Sequence, residues 1–440
     1  MSTTPHSIAV AVSGGADSLA VLHSLHANLP GTGHSLMAIH GLFGQELLHE
    51  FLVACGIRQG AWPDAEHLSM LERLKKTTDT LGIPLHVVDL SRQFFSAVVR
   101  PFVAQYAMGL TPNPCALCNK TIKFGTLVDA CHSLGASYLA TGHYARLENA
   151  APPHPPHFLG LHAHSRNGAE YGQPEHLPRI SPEMPVLKPG ADKSKDQSYF
   201  LALVSRPQLE RAIFPLGGSL KSDVFRYLQK HNLAPPQPGE SQEICFIPGG
   251  RTGTMPGYRE FVPFMAEHLG IPLSGPGPIC LENGQELGKH RGLWHYTEGQ
   301  RKGLGIGWKE PLHVLAKNGE TNTLLLGPEQ SMATGRLLTG PANILVEPCY
   351  WPKTVLVKTR YREAPKQASV KVSGTGAAGL SSAAPHSGGF PAPPVEASPF
   401  LDVTFLEKEK AVAPGQLVAV YAQEGEELRL LAGGIIARTQ

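Results

Sequence analysis

The chain has 440 residues, 42% hydrophobic and 17% charged, which gives material for several buried cores and excludes a disordered polyelectrolyte. Lys+Arg 38 against Asp+Glu 36 leaves +2, so a uniformly basic chain is excluded and any nucleic-acid site must be a local patch. Seven sparse cysteines exclude a secreted disulfide scaffold, and no apolar run nears the ~18 residues of a membrane span. Residues 1–6 carry no basic start followed by an apolar run. A cytoplasmic protein of about three domains is expected, with no membrane association.

Residues 7–12 form a short apolar run ending in glycines, and 17–29 carry apolar residues at helical spacing. Residues 35–40 repeat the strand pattern and 45–54 the helical one. A charged amphipathic helix is expected over 64–81, a strand over 84–90 and a helix over 92–108. A further helix over 122–134 and a strand over 137–141 complete the series. Strand alternating with helix implies right-handed crossovers and a parallel sheet with helices on both faces. Ligands in such sheets sit at the carboxyl ends of the strands.

Residues 150–185 break the pattern with a Pro/His-rich insertion, read as a solvated spacer rather than a metal site. Order resumes over 195–204 and continues through two helical stretches to about residue 232. From 275 onward short β runs recur at 313–316, 323–326, 354–359, 370–372, 417–421 and 428–431, suggesting small barrels. A low-complexity loop occupies 373–400. The expected organisation is an α/β chain with a parallel-sheet domain at 1–250, a small, mostly-β central domain at 251–332 and a C-terminal β-barrel at 333–440.

Three constellations carry chemistry. Ser13-Gly14-Gly15-Ala16-Asp17-Ser18 lies directly between a strand and a helix. Glycines let backbone N–H groups close around phosphate oxygens, and the helix N-terminus adds partial positive charge. The lysine of GxxxxGK[ST] and the GxGxxG spacing are both absent. What remains resembles the S-G-G-x-D-S signature of PP-loop pyrophosphatases, which split ATP between its α- and β-phosphates and adenylylate a substrate. The bland reading is an ordinary capped turn.

The second is Thr111-Pro-Asn-Pro-Cys-Ala-Leu-Cys-Asn-Lys120, followed by Ile122-Lys-Phe124. Its prolines place Cys115 and Cys118 on a rigid loop feeding a helix. A thiol beside a helix N-terminus and Lys120 should have a lowered pKa. The C-x-x-C alone admits half a zinc site, a redox pair, or a catalytic thiol beside a bystander. Cys55, Cys131, Cys280 and Cys349 read as small buried hydrophobes. The third is Gly239-Glu-Ser-Gln-Glu-Ile-Cys-Phe246, whose Cys245 could face the same pocket as the first pair.

Together these segments resemble the tRNA-specific 2-thiouridylases, which thiolate the wobble uridine of tRNA. The resemblance is carried by 13–18, 111–124, A-T-G-H-Y-A at 140–145, K-D-Q-S-Y-F-L at 195–201, S-Q-E-I-C-F-I at 241–247, G-K-H-R-G-L-W-H-Y-T-E-G-Q-R-K-G-L-G-I-G at 288–307, and Arg360-Tyr361. It implies that Ala11, Val12, Ser13, Gly14, Gly15, Ala16, Asp17, Ser18 and Gly142 bind ATP, with Gly41 near the adenine and Asp17 helping to place magnesium. It implies a persulfide on Cys245 and a resolving nucleophile at Cys118, ending as a Cys118–Cys245 disulfide. Asn113, Pro114 and Cys115 would line the target base. His143, Lys195, Asp196, Gln197, Arg360, Tyr361 and Gln416 would touch tRNA. An upstream sulfur donor, a cysteine desulfurase or sulfur-relay protein, is the implied partner.

Lys353, Lys358, Arg360, Arg362, Lys366 and Lys371 form the densest basic run, a phosphate-tracking strip on this reading. Two departures from the family pattern stand out. Cys115 replaces an aspartate, and His40-Gly41-Leu42-Phe43-Gly44 stands where the family has a methionine-bearing adenine contact. The rival readings are a 4Fe–4S cluster on Cys115, Cys118 and Cys245, and a catalytically dead PP-loop protein that binds tRNA.

Overall fold

The computed structural model describes residues 6–30, 32–56, 59, 63, 65–148, 185–235, 244–247, 257–374 and 398–440. The 150–185 insertion and the 373–400 loop lie almost wholly outside the described residues. The chain divides into two compact units. The first comprises Met1–Ala104, Pro114–Ile271 and Glu427–Arg429; the second comprises Gln105–Asn113, Pro272–Glu426 and Leu430–Gln440.

In the first unit, β1 (Ser7–Ala11), β2 (Ser35–Leu42), β3 (Leu85–Asp89), β4 (Tyr138–Ala140) and β7 (Ala212–Ile213) form one parallel sheet in the order β3-β2-β1-β4-β7. The near-continuous apolar runs of β1 and β2 suit strands covered on both faces. Helix α1 (Ala16–Asn28) packs Leu19, Val21, Leu22 and Leu25 into the core that holds Ile8 and Val10 of β1. Leu22 is fully buried, so Leu22→Ala should cost about 2–5 kcal/mol. Helices α2 (Gln45–Ala54) and α3 (Ala65–Thr80) follow within a residue of expectation.

Two helices differ from a regular reading. The run from Ser91 to Ala107 carries a π-helical turn at Phe95–Val99. Pro101, just beyond it, lacks an N–H and crowds the preceding turn, which the wider π turn relieves. The helix expected at 122 starts earlier, at Pro114, so Cys115 and Cys118 lie within its first five residues rather than on a loop. Proline is well tolerated at a helix start because the missing N–H has no partner there in any case. That helix continues as a π segment, Asn119–Thr126, broken at Gly125 (φ −103°, ψ −108°), before Leu127–Ser133. A hairpin of β5 (Ala145–Glu148) and β6 (Val186–Pro189) brackets the insertion.

In the second unit, β8 (Gly277–Leu281), β9 (Glu286–His290), β10 (His313–Asn318) and β11 (Thr323–Gly327) form a sheet in the order β10-β11-β8-β9. β12 (Ala333–Ile344), β13 (Val355–Lys358), β14 (Lys366–Ser373), β15 (Phe400–Lys410), β16 (Leu417–Glu424) and β17 (Glu427–Thr439) close a barrel in the order β12-β15-β14-β13-β16-β17. The architecture is therefore α/β: an N-terminal parallel sheet, a small central sheet and a C-terminal closed barrel. β15 escapes a search for apolar runs because polar Asp402 and Thr404 alternate with buried Leu401, Val403 and Phe405.

Candidate functional site

The sheet order reverses between β1 and β4, since the chain builds outward through β2 and β3 before returning to the other side of β1. Such a switch point leaves a crevice at the strands' carboxyl ends. Residues 12–18 leave β1 there, and Thr141-Gly142-His143 leaves β4 beside them. Gly14 has φ +83°, a left-handed conformation that a side chain would strain. The loop is braced from inside: the Ser13 amide donates to Ser18 Oγ (3.2 Å), and Ser18 Oγ–H donates to the Gly15 carbonyl (3.0 Å). A Cβ on Gly142 would meet Asp17 Cβ at 3.0 Å, so glycine lets the two loops approach closely.

Asp17 is the most heavily engaged residue of the loop. Lys221 Nζ donates to both carboxylate oxygens at 2.8 Å, and the Tyr144 hydroxyl donates to Oδ1 at 2.7 Å. Lys221 is buried (8% exposed) and is the first residue of the helix Lys221–Lys230. A cation there opposes the helix dipole by about 0.3–1 kcal/mol, so it needs a partner. Neither Lys221 nor Tyr144 stands out as a functional residue in the sequence. The misplaced charge at a helix start following the last parallel strand is the signal that could have found Lys221.

At the end of β2, buried His40 donates through Nδ1–H to the Val12 carbonyl at 2.6 Å, and its buried Nε2 has no hydrogen-bond partner among the described residues. Burial lowers its pKa and keeps the ring neutral. The Phe43 ring fills the place a side chain on Gly41 would take.

Cys115, Cys118 and Cys245 gather in one electrostatic neighbourhood. Each of the two helix thiols feels Cys245, and all three feel Lys123. The Cys245 segment is held by Phe246, whose ring packs against Phe94 (5.4 Å), Phe102 (5.3 Å) and Phe261 (5.6 Å). The expected lowering of the Cys118 pKa is overturned. Burial pushes it up to about 12 and Cys115 up to about 11, and Lys123 only partly offsets this. Cys245 keeps an exposed face, yet the protein around its sulfur raises its pKa too. The influential cation is Lys123, one helical turn beyond exposed Lys120, whose carbonyl accepts from Gln208 Nε2 (2.8 Å).

All seven cysteines are free thiols, so the Cys118–Cys245 disulfide is not formed in this structure. Of the other four, Cys131 is buried and Cys280 half-buried, but Cys55 and Cys349 are exposed, against the expectation for small hydrophobes. Among the described residues no group of three or more His, Cys, Asp or Glu side chains is placed to hold a metal ion. The three thiols are neighbours without the convergence that a 4Fe–4S cluster requires, so that rival is not favoured.

The residues expected at tRNA fall into three situations. His143 is buried with its ring against Phe124 (5.6 Å) and Phe214 (5.8 Å), and burial holds its pKa well below the usual range. Buried Asp196 accepts from the amides of Gly190 (3.1 Å) and Ser198 (2.9 Å), and Gln197 Oε1 accepts from the Tyr144 amide (3.0 Å), with Lys195 half-buried beside them. In the second unit, Gln416 Nε2 donates to the carbonyls of Thr111 (3.0 Å) and Pro112 (3.2 Å), next to half-buried Asn113. Arg360 bonds Glu363 at 2.8 Å and the Ala411 carbonyl, and Lys358 lies 5.7 Å from the Tyr361 ring.

A glycine-bearing loop at the switch point of a parallel sheet resembles the loop of the PP-loop class of proteins. Comparison with known proteins agrees: residues 6–249 match the family described as tRNA methyl transferase HUP domain, 263–328 the tRNA methyl transferase PRC-barrel domain, and 395–436 the aminomethyltransferase beta-barrel domain. The chain is 40% identical over 429 residues, 98% of each chain, to the tRNA-specific 2-thiouridylase MnmA of Nitratidesulfovibrio vulgaris Miyazaki F. It is 39% identical to that of Oleidesulfovibrio alaskensis (98% of this chain, 99% of the relative) and 37% identical to that of Lawsonia intracellularis (98% of each). The chain belongs to the tRNA-specific 2-thiouridylase family. A solved structure, the U34-tRNA thiolase NcsA from Methanococcus maripaludis with its 4Fe–4S cluster, aligns over 61% of this chain and 69% of its own at TM-score 0.31 and 14% identity, too slight a likeness to carry an argument.

Proposed function

We propose that this protein is an ATP-dependent tRNA-uridine 2-sulfurtransferase that converts the wobble uridine to 2-thiouridine. The observation that carries this reading is the gathering of Cys118 and Cys245, distant in sequence, in one unit that also holds the PP-loop. Residues 11–18 with Gly142 bind ATP, and Gly41 lies on the adenine side. The uridine 2-carbonyl oxygen attacks the α-phosphorus; the α–β bridging bond breaks and pyrophosphate leaves with the electron pair. An unreactive carbonyl oxygen thereby becomes part of an AMP leaving group.

The terminal sulfur of a Cys245 persulfide then attacks C2 and AMP departs. Cys118, as thiolate, attacks Cys245 Sγ, the persulfide S–S bond breaks toward the uridine, and a Cys118–Cys245 disulfide remains. The transferred sulfur is reduced by the two electrons that the thiols lose. The buried thiol, with a pKa near 12, needs its proton removed at this step, and Lys123 favours the resulting thiolate. A thiol reductant reopens the disulfide, and a cysteine desulfurase or sulfur-relay protein reloads Cys245.

Asp17 fits a magnesium site of the usual kind, in which one carboxylate and the substrate phosphates hold the ion; the ion would neutralise phosphate charge. Asn113, Pro114 and Cys115 would line the target base. His143, Lys195, Asp196, Gln197, Arg360, Tyr361 and Gln416 would serve tRNA, the buried ones by shaping its contact loops. We assign the catalytic domain to 1–250, the central domain to 251–332 and the barrel to 333–440. The setting we propose is the cytoplasm, where tRNA is modified; among the described residues no helix is long and apolar enough to cross a membrane.

The test is mass spectrometry of nucleosides from tRNA incubated with the protein, ATP, magnesium and a persulfide source. The expected result is a gain of 2-thiouridine at the wobble position with AMP and pyrophosphate in step. Unmodified tRNA with no pyrophosphate release would overturn the proposal.

A further inference from the structure

The S-G-G-x-D-S loop has no lysine of its own, yet a triphosphate brings several negative charges to it. The structure places a buried ammonium at this point. Lys221 Nζ bridges both oxygens of Asp17 and lies over the Phe225 ring (5.0 Å to the centroid), and its backbone amide donates to Asp192 Oδ2 (3.0 Å). The Lys221 side chain is 10% accessible, whereas Asp17 is 32% accessible, so the carboxylate is the open side of the pair. Tyr144 holds Asp17 from a second direction at 2.7 Å.

A buried ion pair is rarely the most stabilising choice for a core, because desolvating both charges offsets their attraction. One beside a phosphate cradle has a further use. We propose that Lys221 is a phosphate-binding residue of the nucleotide site, held in place by Asp17 until ATP arrives. Binding then exchanges partners: the Asp17 carboxylate faces the divalent cation, and the Lys221 ammonium faces the β- and γ-phosphate oxygens that leave as pyrophosphate. No bond is made or broken in this exchange. The ammonium is a compact point charge of the kind that suits phosphate oxygens. This inference rests on the ATP reading of the PP-loop.

The test measures binding to the full-length protein by equilibrium dialysis, with magnesium chelated, using ATP, pyrophosphate and AMP as probes. Lys221→Met should weaken ATP and pyrophosphate about tenfold to a hundredfold and leave AMP unchanged, while Lys221→Arg should retain most of the triphosphate affinity. The double variant Asp17→Asn/Lys221→Met should stay as weak as Lys221→Met alone. Equal ATP affinity in Lys221→Met, an equal loss for AMP, or recovery in the double variant would overturn the proposal, since each would leave Lys221 only neutralising Asp17. A wild-type protein that binds none of the three probes would instead overturn the ATP reading itself.

Discussion

The side-chain amide of Gln416 donates to the carbonyl of Thr111 at 3.0 Å, across 305 positions of sequence. Thr111 is held on its other side as well: its hydroxyl bonds Glu298 Oε2 (3.3 Å) and Lys317 Nζ (3.1 Å), and its amide donates to the Pro414 carbonyl (2.9 Å). Glu298 and Lys317 are themselves a buried ion pair at 3.3 Å. The segment that ends at Asn113 is thus fastened from three directions within the second unit.

That arrangement predicts a sharp asymmetry between two substitutions. Glu298→Ala leaves the Lys317 charge buried without its carboxylate and should cost about 3–5 kcal/mol, read as a lowered Tm. Gln416→Ala removes hydrogen bonds at a half-buried site and should cost about 1 kcal/mol, while lowering the thiolation rate through a loosened Asn113. Equal melting shifts for the two variants would contradict the burial argument.

Asp17→Ala should abolish pyrophosphate release, because the proposed mechanism assigns its carboxylate to the magnesium that accompanies the phosphates. The Lys221 pair adds a structural cost, since the buried ammonium loses its partner. Circular dichroism should therefore show a folded protein of reduced Tm. Pyrophosphate release at the native rate with tRNA present would refute the role given to Asp17.

Cys118→Ser and Cys245→Ser should each eliminate thiolation, since a serine hydroxyl neither carries a transferable sulfur nor attacks one at neutral pH. Cys115→Ser should keep at least partial activity. Thiolation assays with and without oxygen exclusion on the three single variants decide the matter. Full anaerobic activity of Cys118→Ser would refute the persulfide scheme.

Burial also sets a pH dependence of stability. Cys115 at about 11 and Cys118 at about 12 lie above the ordinary 9.0, so the folded protein keeps protons that the unfolded chain has already released. Their contribution is fully present below pH about 9 and is lost as pH rises toward 12. Denaturant midpoints should fall across that window, and Cys115→Ser/Cys118→Ser should flatten the fall.

Replacing Lys358 and Arg360 by alanine should weaken tRNA binding and reduce its salt slope by about one unit per lost phosphate contact. Arg360 already bonds Glu363 and the Ala411 carbonyl, so part of its effect should appear as a lowered Tm. An unchanged affinity and slope would return the strip to an ordinary solvated strand face.

The sequence by itself determined the local features. Apolar runs ending in glycine mark β1 and the PP-loop, and helical spacing marks α1 to α3, because these follow from short-range periodicity and backbone sterics. The hexapeptide around Asp17 and the spacing of Cys115 and Cys118 are legible for the same reason. Only tertiary structure decided the electrical character of those groups. Lys221 reaches Asp17 from 204 positions away, Lys123 rather than Lys120 influences the thiols, and burial raises thiol pKa values that a helix start alone would lower. A pKa depends on the water excluded and the charges gathered around a group, and both are set by which distant segments the fold packs against it.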